Sequence, residues 1–138
     1  EKPLFLHERS ASEDFIRRFK RHPDICKRSV VHCFTGNKKV LEQYLSMGFS
    51  IGITGWICDD RRAKELREAV SLIPLDRILV ETDAPYLTPK NVPGPGRTNV
   101  PQNIRYVVQE LAKYRKVTEE TLMEHAKKNT ERLFHLKT

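Results

Sequence analysis

The sequence predicts an α/β fold with helices packed outside a parallel sheet, and three observations carry that expectation. Strand-like and helix-like stretches alternate four times along the 138 residues, the rhythm of βαβ units joined by right-handed crossovers. The apolar runs are short and continuous, as at Ile78-Leu79-Val80, which suits parallel strands covered on both faces. Three of these runs also close on a residue able to bind a metal or move a proton, namely His7, His32 and Asp83. In folds of this kind functional side chains gather at the carboxyl ends of the strands.

The first strand is expected over Pro3 to His7. Ser10 then offers an N-cap with Glu13 reaching back, and Glu13 and Asp14 suit the first turn of a helix. Phe15, Ile16 and Phe19 form its apolar stripe, and His22-Pro23 ends it. The second strand spans Ser29 to Phe34. Gly36-Asn37 turns into a helix with Val40, Leu41, Tyr44 and Leu45 at helical spacing, closed by Gly48. Phe49 to Gly55 alternates bulky and small residues, a third strand whose glycines let another group come close. Asp59 or Asp60 can cap the next helix, with Ala63, Leu66, Val70 and Ile73 inward, and Pro74 breaks it before the fourth strand at Arg77. From Pro85 to Pro101 the prolines and glycines predict a long loop over the rim. Asn99 is expected to cap a helix bearing Ile104, Val107, Val108, Leu111 and Ala112, and a last helix starts at Thr118 and buries Leu122, Ala126, Leu133 and Phe134.

A chain of 138 residues suits one domain. The net charge of +7, from 25 Lys and Arg against 18 Asp and Glu, fits a polyanionic partner as well as it fits an ordinary solvated surface. Cys26, Cys33 and Cys58 are odd in number and follow no metal-knuckle spacing, so reduced, buried thiols and an intracellular compartment, cytoplasmic or nuclear, are expected. There is no stretch of membrane-spanning length and no signal-peptide pattern. The first residue is Glu1, not Met, as expected of a processed or partial chain.

Singly, His7 and His32 are explained as well by packing or solvent as by ligation. Together with Asp83, at three strand ends, they form a ligand set for a divalent cation. His22, His125 and His135 lie among charges in helices or at helix ends and read as surface or packing residues. Trp56, at the end of the third strand, is a candidate substrate-stacking residue, with core packing as the other reading. Glu81 lies two residues before Asp83 and points to the same face, where it could tune a ligand or pair internally with a basic residue.

Leu6-His7-Glu8-Arg9, Val31-His32-Cys33-Phe34-Thr35-Gly36, the run from Pro74 through Glu81-Thr82-Asp83-Ala84-Pro85 to Leu87, and Arg97-Thr98-Asn99-Val100-Pro101 resemble the TatD family of metal-dependent deoxyribonucleases, in the family's order from end to end of the chain. Asn129 to Phe134 is similar to the family's final helix. The resemblance implies a (β/α)8 TIM barrel of the metal-dependent hydrolases, to which this chain supplies about four βα units, the carboxyl-terminal half, plus the C-terminal helices. It implies two divalent cations, magnesium by family or zinc, manganese or cobalt by ligand softness. His7 and His32 would hold one and Asp83 the other, and Asp83 would also orient the attacking water or take its proton. Arg9, Lys90 and Arg97 are candidate phosphate contacts. The implied partners are DNA, with RNA as a further candidate, and a missing amino-terminal half in cis or in trans.

The family's HxH pair and bridging glutamate have no counterpart here, and Glu8 stands where the family tends to have a small residue. Half a barrel would expose two sheet edges. Two other readings stay open: an amidohydrolase-type hydrolase of C–N bonds, and a non-catalytic nucleic-acid-binding or scaffold module with a vestigial site.

Overall fold

The computed structural model describes residues 1–94 and 98–137. Four strands, β1 (Leu4–His7), β2 (Ser29–His32), β3 (Ser50–Ile53) and β4 (Ile78–Val80), form one sheet in the order β1-β2-β3-β4, every pair parallel. Sequential order is what repeated right-handed βα units produce in a barrel wall, whereas an open doubly wound sheet reverses direction at a switch point. The helices are α1 (Ser12–Phe19), α2 (Pro23–Lys27), α3 (Lys38–Met47), α4 (Lys64–Ala69), α5 (Ile104–Arg115) and α6 (Glu119–Phe134).

Alternation along the strands sends Leu6, Val31, Ile51, Ile53, Ile78 and Val80 to the helix-covered side, where they join the main core with Leu41, Tyr44, Phe49, Leu66, Leu111 and Leu122. Phe15, Phe19, Tyr44 and Phe49 pack there as an aromatic cluster, Phe15 and Phe19 having ring centroids 4.7 Å apart. The opposite side carries Phe5, Val30 and Leu79 and is covered by Leu133 and Phe134 of α6. Phe5 stays 56% exposed. The expectation of parallel strands covered on both faces holds for β2, β3 and β4, and Phe5 on the edge strand β1 is the exception.

Helix ends depart from expectation at several points. Ser10 does not cap α1: it takes a left-handed conformation (φ 54°), Ala11 is the N-cap residue, and the Ala11 N–H donates to Glu8 Oε2 at 3.1 Å. Pro23, expected to end a helix, opens α2 at its first turn, where a missing N–H costs nothing. α3 behaves as expected, with Asn37 Oδ1 accepting from Val40 N–H and Gly48 closing it at φ 106°. Neither Asp59 nor Asp60 caps α4, whose N-cap residue is Ala63, and Asn103, not Asn99, precedes α5. Thr118 caps α6 by accepting from Thr121 N–H.

Asn129 fastens α6 beneath the sheet. Only 2% exposed, its Nδ2 donates to Leu75 O at 2.7 Å and to Ile78 O at 2.8 Å, while Arg132 donates to its Oδ1. Asn129→Ala strands two carbonyls at the start of β4. The loss should be on the order of 3 kcal/mol of unfolding free energy, measured in urea. A loss no larger than that of exposed Met123→Ala would show that the amide carries little of the docking.

Candidate metal and catalytic site

Parallel pairing in register makes His7 and His32 direct neighbours at the carboxyl ends of β1 and β2, with ring centroids 6.3 Å apart. β4 ends at Val80, and three residues further on Asp83 is turned toward them by a short antiparallel bridge in which Tyr86 N–H donates to Asp83 O at 2.8 Å. His32 is the hub. Its Nδ1 donates to Glu81 Oε2 at 2.8 Å and its Nε2 lies 3.3 Å from Asp83 Oδ1. His32 is 8% exposed, and its ring packs on Phe5 at 4.5 Å between centroids.

Glu81 is seated by main chain. The Cys33 N–H donates to Glu81 Oε2 at 3.2 Å, from a residue held at φ 50°. Gly52 on β3 makes room for the carboxylate, since a Cβ there would stand 2.0 Å from Glu81 Oε2. Glu81 Oε1 is buried and has no hydrogen-bond partner among the described residues. The hydrogen bond that Glu81 accepts raises the pKa of His32 against the opposing effect of burial, with Asp83 adding to the rise.

Donor chemistry here fits a cation. With Nδ1–H committed to Glu81, neutral His32 turns a bare Nε2 toward a carboxylate, and two acceptors at that distance need a positive charge between them, either a proton or a metal. The described residues contain no group of three or more His, Cys, Asp or Glu side chains placed to hold an ion among themselves. His7, His32 and Asp83 thus share a rim but do not close a coordination shell on their own. Cys33 lies beside them, and burial raises its pKa while its Sγ sits 3.1 Å from Thr54 Oγ1, so it is a packing thiol and not a thiolate nucleophile.

A cavity of about 230 Å³ opens at this rim, walled by His7, Arg9, Asp83, Trp56, Arg62 and Tyr86 among others. Arg9 therefore joins the site. Trp56 does too, but not as a free stacking surface: guanidinium carbons of Arg62 and Arg9 lie 4.1 and 5.3 Å from the centre of its ring. Lys90 is exposed and does not line the cavity, and Arg97 lies outside the described residues. Glu8 spends its carboxylate on Tyr44 Oη and Ala11 N–H, leaving His7 without a carboxylate partner from its own strand end. Two residues were not expected. Arg62 sits in an Asp-Asp-Arg-Arg run that reads as a helix start, and Tyr86, 71% exposed beside Asp83, carried no signal beyond its neighbours.

The loop from Pro85 onward is tied to this rim by Asn99. Its N–H donates to Pro85 O at 2.9 Å, and its Nδ2 to Tyr86 O at 3.0 Å and Leu87 O at 3.4 Å. Leu87 O in turn closes over Gly55, where a Cβ would stand 2.2 Å from it.

A family profile described as TatD related DNase matches residues 1–135. A protein called 3'-5' ssDNA/RNA exonuclease TatD from Rahnella sp. (strain Y9602) is 44% identical over 97% of this chain and 52% of its own length. One of the same name from Erwinia amylovora is 47% identical with the same coverage. Among solved structures, YJJV, a TatD homologue from Escherichia coli K12, superposes with a TM-score of 0.86 at 29% identity, over 98% of this chain and 51% of that one. An uncharacterized amidohydrolase from Saccharomyces cerevisiae gives 0.81 at 24% identity, over 96% and 53%, a likeness of fold. The chain spans about half the length of the curated relatives it matches.

Proposed function

Because the chain belongs to the TatD-related DNase family, we propose that it supplies the carboxyl-terminal half of a barrel nuclease that hydrolyses phosphodiester bonds of DNA, and of RNA, with two divalent cations. The observation that carries this reading is His32 fixed between Glu81 and Asp83 at the rim it shares with His7. In the proposed site His7 and His32 hold one cation and Asp83 the other, with further ligands from strands that pair with the open edges of β1 and β4. When bound, such cations supply Lewis acidity at the phosphoryl oxygens and lower the pKa of water. Glu81 fixes the tautomer and tilt of His32 through Nδ1. Asp83, with its side chain 41% exposed to the cavity, accepts the proton of the attacking water, and Arg9 offsets charge on the phosphate.

The excess of basic residues favours a polyanionic substrate over the cyclic amides of a C–N hydrolase. Three buried free cysteines support an intracellular setting. Among the described residues no helix is long and apolar enough to cross a membrane.

Co-expression with the amino-terminal half of the Erwinia amylovora relative tests the reading. The purified complex should shorten end-labelled single-stranded DNA with added magnesium, manganese, zinc or cobalt and stop in EDTA. Shortening that persists in EDTA would defeat the proposal. Binding with steep salt dependence and no turnover under any of these metals would favour the non-catalytic module instead.

A further inference from the structure

Beyond the reacting centre the rim has a second opening of about 480 Å³, reaching past the indole toward Ser10, Asn37 and Glu65. It shares Glu8, Arg9, Thr35 and Trp56 with the cavity that holds His7 and Asp83. The guanidinium carbons of Arg9, in that shared wall, and of Arg62, which lines the smaller cavity, lie 5.3 and 4.1 Å from the centre of the indole. Arg62 is aimed by Asp59, which is 2% exposed: Arg62 Nε donates to Asp59 Oδ2 at 2.8 Å, and the Arg61 N–H holds Asp59 Oδ1 at 3.0 Å. That commits one edge of the Arg62 fork. Arg9 has no hydrogen-bond or ion-pair partner among the described residues, since the adjacent Glu8 is taken by Tyr44 and Ala11. Trp56 Nε1 is itself buried without a partner among the described residues, so packing and the two cations hold the ring.

We infer that Arg9 and Arg62, held over Trp56, form a phosphate-binding subsite for the nucleotide next to the one cleaved. This rests on the nuclease reading and deepens it. A phosphodiester is recognised by planar N–H forks; Arg9 keeps its whole fork for a ligand, and Arg62, paired through Nε with Asp59, keeps its two terminal nitrogens. The scissile group belongs at His7, His32 and Asp83, so a clamp across the same cavity takes the neighbouring phosphate. Trp56 is a positioning residue for both arginines.

Trp56 is the chain's only tryptophan, so its fluorescence reads this subsite without turnover. The chain is titrated in EDTA with 5′-phosphorylated dithymidylate, with inorganic pyrophosphate and with thymidine. A saturable change is expected with the first two and none with thymidine. Arg9→Gln and Arg62→Gln should each weaken dithymidylate binding by about tenfold, with Arg62→Lys recovering little of it, while Arg18→Gln on α1 leaves it unchanged. Equal binding by the parent and both Gln variants would overturn the inference, as would an equal loss in Arg18→Gln, which would reduce the effect to general charge. In the complemented enzyme Arg62→Gln should raise KM and spare kcat. Failure of hydrolysis there with the binding results intact would overturn the nuclease reading and not the subsite.

Discussion

In the complemented enzyme, His32→Ala will lower kcat/KM on a single-stranded oligonucleotide on the order of a thousandfold, about 4 kcal/mol of transition-state stabilisation. Asp83→Asn should do the same. The reason lies in shared placement: His32 Nε2 and Asp83 Oδ1 are 3.3 Å apart, so in the proposed two-cation site each variant removes a ligand from one of two adjacent positions. Metal content should fall with activity, while far-ultraviolet circular dichroism stays that of the parent, because neither residue belongs to the main core. A drop of less than tenfold in both variants, with the metal retained, would place the chemistry elsewhere.

Gly52→Ala should separate function from stability. An alanine Cβ would collide with the Glu81 carboxylate, the far end of a flexible side chain, and that group can swing aside. Glu81 would then release His32 Nδ1 and the Cys33 N–H, and metal affinity should fall 10- to 100-fold, as when such an outer partner is lost. Unfolding free energy should change by less than about 1 kcal/mol. Gly55→Ala, three residues on, meets the Leu87 carbonyl instead. Backbone cannot yield as a side chain can, so this variant should cost about 2 kcal/mol or more. Urea unfolding and metal titration of the two proteins, run side by side, check both halves. If Gly52→Ala keeps parental metal affinity, Glu81 does not steady His32.

The strands and their functional rim were legible because the signal is coarse and local. Apolar runs closed by His7, His32 and Asp83 need only parallel pairing to converge, and the sheet order supplies it. Helix starts were less legible at Ser10, Asp59 and Asn99, residues whose short polar side chains bind nearby main chain whether or not a helix follows. Asp59 serves Arg61 and Arg62, and Asn99 serves the loop. Local sequence does not separate those uses. Coverage of both faces was legible too: Val30 and Leu79 belong to continuous apolar runs, and both are buried against α6. Arg62 was missed because its partners, Trp56 and Asp59, acquire their meaning from a turn after β3 that periodicity does not reveal.

Asn99 works as a buckle. The polypeptide departs at Leu87 and is back in contact with it at Asn99, and between them Asn91 is tied to Tyr106 O on α5. Lengthening such a span is thermodynamically gentle, about 0.6 kcal/mol for each doubling. A reporter peptide spliced after Gly94, whose α-carbon has open space beside it, would ride on the buckle without tugging at Asp83, which makes this the natural handle for tethering the protein to a surface or a dye.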